Sequence, residues 1–391
     1  MVPAGVKPFK LMKELTPRYR GPILAAKLRR IVTRSKRFEG FLSHSPIDRV
    51  PVQLQNMVLA AQSTGLDFPV VYRNPDLVVQ GHLREWEKYR HDGVIVDVGT
   101  HAAAEAVGCS VEYAPGELPR VTGPAVSEWP EVDSLRLPDI TSTFPLTVVL
   151  QAVAALKKEI GRHAVIIATV DQGPFTLATQ IAGLEKSLLA LATGEAEEEI
   201  RGLLDFCTSF TLAYGRELSR AGADVIRMGD SVSGPDLISP LFYRSYAMKC
   251  QKTLAEEFAR EGITFAFHIC GNATAILQDM VSTGAAYVEI DEKTDLVTAR
   301  NAVQDRGGIN GPVSPRTLRF GTAAEVERTC REILETWMPR PGLFFGPGCS
   351  LAQDTPEENI RMLIDCASRY GSYAGRNTHA GESIPIRRSE A

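Results

Sequence analysis

Short apolar runs alternate with amphipathic helical stretches from about residue 46 to residue 374. The runs are rich in β-branched and aromatic residues, as is typical of strands, and the stretches between them carry apolar residues at helical spacing. This pattern predicts strands at residues 49–54, 93–98, 164–170, 224–228, 264–267, 287–290, 308–310 and 343–345. Because a helix follows each strand, we predict an α/β fold, specifically a (β/α)8 TIM barrel.

Two segments depart from this alternation. Between about residues 109 and 137 the chain is rich in turns, and residues 111–113 and 121–123 could pair as a hairpin insertion. The first 45 residues contain helix-forming stretches, which predict an N-terminal helical extension that covers the amino end of the barrel or contributes to a homodimer surface. We therefore divide the chain into this extension at 1–45, the barrel at 46–375 and a flexible tail at 376–391.

Composition argues against several classes of partner. The net charge of -4 gives no electrostatic footprint for nucleic acid or an anionic membrane. A basic run at residues 27–37 is soon followed by acidic and apolar residues, which favours a solvated helix face over a binding arm. No apolar stretch reaches the roughly 20 residues that span a bilayer, and the first 11 residues do not resemble a signal peptide. We expect a cytoplasmic protein.

Two of the seven cysteines stand apart from the others. Cys270 and Cys349 each follow a short apolar run beside a glycine, where a strand would pass into a loop. His268 precedes Cys270 by two positions, so both side chains can face the same side of one strand end. One imidazole and two thiolates suit zinc and leave a fourth position open. Four cysteines in helical patterns are predicted to pack in the core: Cys207, Cys250, Cys330 and Cys366.

The carboxyl ends of all barrel strands meet at one rim, where the chemistry of such barrels is concentrated. The predicted zinc ligands lie at these ends, although packed core residues are the alternative interpretation of a His-x-Cys tripeptide alone. Asp230 could orient a ligand or the histidine, or it could cap the helix that starts near Pro240. Further strand exits supply candidate pocket residues, namely Gln172, Phe175, Ser231 and Asn310.

Three sequence motifs carry a family resemblance. FHICGN at residues 267–272, VEIDEK at 288–293, and GCS at 348–350 with TPEEN at 355–359 resemble the uroporphyrinogen decarboxylase superfamily. More narrowly, they resemble its zinc-dependent corrinoid methyltransferase branch, which includes the methylcobamide:coenzyme M methyltransferases. Matches at residues 48–52, 171–178, 229–230 and 239–240 extend the resemblance to about residues 40–372. The His-x-Cys motif with the distant cysteine is its specific part.

This resemblance implies an enzyme in which His268, Cys270 and Cys349 hold zinc. It also implies that an acidic residue of the next strand can be the fourth ligand, and Asp291 is the nearest match, with Glu289 second. The implied reaction moves a methyl group between the cobalt of a corrinoid (cobalamin) and a small substrate, either a donor such as an aryl methyl ether or a thiol such as coenzyme M. The chain has no Asp-x-His-x-x-Gly string, so we expect a separate corrinoid protein as partner.

Two alternatives stay open. Decarboxylation of uroporphyrinogen needs cations for the carboxylates of the tetrapyrrole, yet the matching segment, QLQNM at 53–57, has none. Asp97 nevertheless resembles the pyrrole-binding aspartate region of the decarboxylase and is therefore a candidate cofactor-binding residue. The other alternative is a non-catalytic barrel that binds zinc or a corrinoid, in which zinc with four protein ligands would only support folding.

Overall fold

The computed structural model describes residues 34–303 and 307–374. Of the extension predicted at 1–45, residues 1–33 therefore lie outside the described residues, as does the tail predicted at 376–391. Within the described ranges, the helices are all too short or too polar to cross a membrane.

Eight parallel strands surround the interior in chain order, and the other two form an antiparallel hairpin. The strands are β1 Gln53–Leu54, β2 Gly93–Val96, β3 Ser110–Glu112, β4 Arg120–Gly123, β5 Val165–Gln172, β6 Val225–Gly229, β7 Phe265–Ile269, β8 Tyr287–Ile290, β9 Ile309–Val313 and β10 Leu343–Pro347. The hairpin is β3 with β4. A parallel bridge between Val52 and Phe345 joins the first and last barrel strands, and Phe345 N donates to Pro51 O at 2.9 Å. The predicted TIM barrel and its hairpin insertion are thus confirmed.

Helices follow the strands and cover the outside of the barrel. They are α1 Arg34–Leu42, α2 Met57–Ser63, α3 Phe68–Val71, α4 Pro75–Tyr89, α5 Ala102–Ala106, α6 Leu146–Ile160, α7 Pro174–Ala182, α8 Leu184–Thr193, α9 Glu197–Arg220, α10 Pro240–Phe242, α11 Met248–Arg260, α12 Leu277–Ser282, α13 Leu296–Val303, α14 Pro315–Phe320, α15 Ala323–Trp337 and α16 Glu357–Arg369. Local sequence sets several starts. Asn74 accepts from the first free N–H groups of α4, and Thr322 with Glu325 forms a capping box at α15.

The alternating pattern of the strands separates two apolar clusters. In β7, Phe265, Phe267 and Ile269 belong to the large cluster between strands and helices, whereas Ala266 belongs to a smaller cluster inside the barrel. The inner cluster is closed at the amino end by α1, because Phe38 contacts Phe344 with ring centroids 5.5 Å apart. Residues 34–42 of the predicted extension therefore cover this end of the barrel. The apolar cluster thus closes the amino end of the barrel, and polar groups can line the carboxyl end.

Candidate metal centre

A layer of polar side chains crosses the barrel interior above the inner apolar cluster. Arg227 Nε donates to Glu289 Oε2 at 2.7 Å, and both side chains are almost fully buried. Gln53 Nε2 lies 3.4 Å from Glu289 Oε1 and 3.3 Å from Asn310 Oδ1, and Asn310 Nδ2 donates to Phe344 O at 2.9 Å. These contacts pair the buried charges and form a fixed polar floor below the rim.

His268 stands beside this floor on β7. Parallel pairing places it opposite Glu289, and its Nδ1 lies 3.3 Å from the Glu289 carbonyl oxygen. If that carbonyl accepts from Nδ1–H, Nε2 keeps its lone pair and is the nitrogen presented to a metal. Nε2 is also the atom that lies 2.9 Å from Cys270 Sγ. The ring orientation therefore fits that of a metal ligand.

The two thiols meet above this imidazole. Cys270 Sγ lies 3.7 Å from Cys349 Sγ, and the ligand atoms of His268, Cys270 and Cys349 all lie within 4.8 Å of one another. Cys349 reaches Cys270 because its loop passes close to the end of β8. A Cβ added to Gly348 would lie 3.0 Å from the Asp291 Cα, so glycine permits this approach. The three residues predicted to bind zinc thus converge, and this donor set suits zinc.

Electrostatics inside the cluster concentrates negative charge on one sulfur. The hydrogen bond from the Cys349 thiol, together with His268, lowers the pKa of Cys270 to about 3 against the opposing effect of burial. The same hydrogen bond raises the pKa of Cys349, and burial adds to it. Burial lowers the pKa of His268, but the adjacent Cys270 thiolate outweighs burial and the net direction is upward. These directions favour the thiolate form of Cys270, which is the form of cysteine that binds metals.

Asp291, predicted as the fourth ligand, contacts the loop after Cys270 but is not among the three residues whose ligand atoms lie within 4.8 Å of one another. It follows β8, and its Oδ2 accepts from Gly271 N at 3.0 Å. Its Oδ1 is buried and makes no hydrogen bond to the described residues. The carboxylate of the second candidate, Glu289, instead pairs with Arg227 in the polar floor. The unpartnered oxygen of Asp291 leaves its role as a ligand a prediction, with Glu289 the weaker choice.

Asp230 connects the exit of β6 to β7 and α7. Its backbone N donates to the His268 carbonyl oxygen at 2.8 Å, while its carboxylate accepts from Thr176 N at 2.8 Å and Gln251 Nε2 at 2.9 Å. Both carboxylate oxygens are therefore used within the protein. The alternative that Asp230 caps the helix near residue 240 is wrong, because the side chain of Ser239 fills that position. Asp230 instead satisfies an N–H in the first turn of α7.

The predicted cofactor-binding residues are distributed over different environments. Asn310 lies in the polar floor, and Gln172 donates to Asp171 Oδ1 at 3.2 Å. Asp97 follows β2, accepts from Gly99 N at 3.3 Å, and has its pKa raised to about 6 by burial. Phe175 is buried in the apolar layer between helices, which removes its ring from the rim. Contact of these residues with a cofactor stays a prediction.

Two buried charged residues of this interior were not predicted. Arg227 sits in the apolar run VIRMG of β6 at an inward position, and a charge at such a position is the signal that could have identified it. Asp171 has a left-handed backbone (φ 74°), and its Oδ2 accepts from Ala103 N at 2.9 Å. Burial raises the pKa of Asp171 to about 7. No local sequence pattern predicts the contact between Asp171 and Ala103, because Ala103 belongs to another βα unit.

Comparisons with known proteins agree with this architecture. The chain is 28% identical over 349 residues to methylcobamide:CoM methyltransferase MtbA of Methanosarcina acetivorans, covering 86% of this chain and 98% of the relative. It is also 28% identical over 302 residues to a uroporphyrinogen decarboxylase of Syntrophotalea carbinolica, covering 76% and 85%. A solved methyltransferase from Methanosarcina mazei superposes with a TM-score of 0.79 at 26% identity, covering 87% of this chain and 99% of that one.

The match to a family is as extensive as the match to these relatives. The sequence model described as uroporphyrinogen decarboxylase (URO-D) matches residues 33–370, which include α1, the entire barrel and the three converging ligands. This range confirms the resemblance carried by the motifs around His268 and Cys349. The chain therefore belongs to the uroporphyrinogen decarboxylase (URO-D) family.

Proposed function

We propose that this protein is a zinc-dependent methyltransferase that moves a methyl group between a small substrate and the cobalt of a corrinoid carried by a separate protein. The convergence of His268, Cys270 and Cys349 at the carboxyl end of the barrel carries the proposal. The names of the methyltransferase relatives from Methanosarcina support the corrinoid and the methyl group. The small substrate is a methyl donor such as an aryl methyl ether, or a thiol such as coenzyme M.

Some residues of the site would bind the metal, and others would orient the residues that bind it. Bound zinc would lower the pKa of a substrate thiol or polarise the oxygen of a leaving group. His268 would bind through Nε2 while the Glu289 carbonyl fixes its ring, and the cysteines would supply two thiolates. Asp291 would be the fourth residue to hold the metal when no substrate is bound. The buried strand ends around these ligands would exclude water and orient the methyl group toward the corrinoid.

Uroporphyrinogen decarboxylation is the competing activity, because decarboxylases are also among the relatives. That reaction requires cations for several substrate carboxylates. Inside this barrel, Arg227 already pairs with Glu289, and the buried residues Gln53, Gln55 and Asn56 are neutral. The Arg227 cation is therefore already paired and is not available to a substrate carboxylate, which favours methyl transfer over decarboxylation.

Transfer to free cob(I)alamin tests the proposal directly. The protein would be supplied with zinc and a panel of methyl ethers, methylated amines and methylated thiols, and the loss of cob(I)alamin absorbance would be followed. We expect His268→Ala and Cys349→Ala to lower the rate by more than about 100-fold, because losing a ligand exceeds the 10–100-fold effect typical of outer-shell partners. Both variants should also lose bound zinc.

Matched substitutions outside the cluster control for general damage. His163→Ala removes an exposed imidazole, and Cys330→Ala removes a buried helical thiol, so both should keep wild-type zinc content. Methyl transfer by His268→Ala at the wild-type rate would refute the zinc mechanism. Rapid decarboxylation of uroporphyrinogen by the metal-free protein would favour the competing activity instead. A pull-down with the cognate corrinoid protein tests the partner separately.

A further inference from the structure

The two cysteines of the metal centre have different hydrogen-bonding environments. Ser231 Oγ donates to Cys270 Sγ at 3.1 Å. Cys349 Sγ lies beside Cys270 and accepts from the backbone of Ser350, and the Ser350 hydroxyl is directed to the Gln55 carbonyl oxygen at 3.5 Å. Within residues 34–303 and 307–374, a side-chain hydroxyl therefore reaches only the first of the two sulfur atoms.

The position of Ser231 is fixed by the fold around it. Ser231 begins a single 3-10 turn, Ser231–Ser233, directly after Asp230. Val232 N donates to Thr176 Oγ1 at 3.1 Å, and Ser233 Oγ donates to the Asp230 carbonyl oxygen at 2.6 Å. Asp230 N in turn donates to the His268 carbonyl oxygen, so the turn is tied to the strand that carries two of the ligands. The hydroxyl is therefore aimed at Cys270 by hydrogen bonds on both sides of it.

We propose that Ser231 is a positioning residue that makes the two cysteine ligands inequivalent by withdrawing electron density from the Cys270 sulfur. The inference rests on the proposed zinc function and adds a way in which the protein sets the electrophilicity of the metal. A thiolate that accepts a hydrogen bond donates less charge to its metal, which stays more electrophilic. Zinc bound here would then lower the pKa of a substrate thiol, or polarise a leaving oxygen, more strongly than zinc bound by two thiolates that accept no side-chain hydrogen bond.

Cobalt(II) substituted for zinc provides a readout that does not depend on turnover. Sulfur-to-cobalt charge-transfer bands report the electron density on each thiolate, and a sulfur that loses its hydrogen bond absorbs at longer wavelength. We expect Ser231→Ala to bind one cobalt ion with its charge-transfer band shifted to longer wavelength. The dissociation constant for cobalt should rise by about tenfold, because the thiolate also loses its orienting donor.

Three further variants separate the hydrogen bond from structural damage. Ser231→Thr keeps a hydroxyl and should keep the wild-type spectrum, whereas Ser231→Val has the same shape without the hydroxyl and should behave like Ser231→Ala. This matched pair carries the comparison if Ser231→Ala does not fold. Ser350→Ala removes the hydroxyl next to Cys349. That hydroxyl contacts the Gln55 carbonyl oxygen and not a sulfur, so the charge-transfer band should stay in place.

The outcomes distinguish this inference from the function on which it rests. Wild-type protein that binds no stoichiometric cobalt would overturn the proposed zinc function and this inference with it. Wild-type protein that binds one cobalt ion, with the same band position in the Thr and Val variants, would overturn the role of Ser231 alone. A weaker affinity with an unmoved band would show a merely structural role and would overturn it as well.

Discussion

At the scale of single residues, the spacing of His268 and Cys270 was sufficient to predict that these two candidate ligands lie together at one strand end. Their partner was harder to place, because Cys349 follows β10, three strands away from β7 in the sheet order. The close approach depends on Gly348, whose missing Cβ lets the loop pass against the backbone of Asp291. Contacts of this kind depend on backbone geometry across several units, and no local pattern in the sequence encodes them.

Asp291 provides the residue-scale test of the fourth ligand. Asp291→Asn keeps an oxygen for Gly271 N but removes the negative charge that would compete with an incoming thiolate. We expect a small thiol such as 2-mercaptoethanol to bind the cobalt-substituted variant about tenfold more tightly, equivalent to about 1.4 kcal/mol. Titration of the charge-transfer band measures this affinity. Asp236→Asn removes an exposed carboxylate beside Gly271 and is the control for charge near the site. Equal affinities in wild type and Asp291→Asn would exclude Asp291 as a ligand.

At the scale of elements, periodicity predicted the strands and most helices, but their ends moved. The strand predicted at 49–54 is reduced to β1, because Arg49 and Val52 make only isolated bridges. The helix predicted to start near Pro240 contains a π turn, Tyr243–Ala247, between α10 and α11. That turn precedes Gln251, which contacts Tyr243 and Asp230. Such tertiary hydrogen bonds decide local geometry that a 3.6-residue period does not record.

The strands also carry a buried ion pair whose energetics can be tested. Arg227→Met leaves Glu289 charged in the interior without its partner, so we expect a loss of about 3–5 kcal/mol in the free energy of unfolding. The double variant Arg227→Met with Glu289→Leu should recover most of that loss, because no charge is then stranded. Urea denaturation followed by circular dichroism measures both values.

A surface ion pair provides the control for this measurement. Arg201 pairs with Glu197 one turn earlier on α9, where both side chains are largely exposed. Arg201→Ala removes this pair and the contact of its guanidinium with the Tyr246 ring, each worth about 1 kcal/mol or less, so stability should fall far less than in Arg227→Met. If Arg227→Met were as stable as Arg201→Ala, the floor would not require its charge pair, and the assignment of Arg227 to that layer would be wrong.

At the scale of the whole molecule, the residues that stabilise the barrel and the residues of the candidate site lie at different positions along the barrel axis. The inner apolar cluster and α1 close the amino end, the polar floor lies above them, and the candidate ligands lie beyond the floor at the carboxyl end. The outer cluster packs the strands against the helices without involving the ligands. Apolar periodicity was enough to predict the barrel, and with it the rim at the carboxyl ends of the strands where the candidate ligands lie.

This separation predicts how the protein responds to metal removal. Dialysis against a chelator should abolish methyl transfer while the far-UV circular dichroism at 25 °C stays unchanged, because the apolar core contains none of the three ligands. The unfolding temperature should fall, since a metal that binds only the folded state stabilises it by about 4 kcal/mol at a thousandfold excess over its dissociation constant. Restoring zinc should restore both activity and the unfolding temperature. Collapse of the barrel on chelation would instead identify a structural zinc site, as in small domains that fold only with their metal.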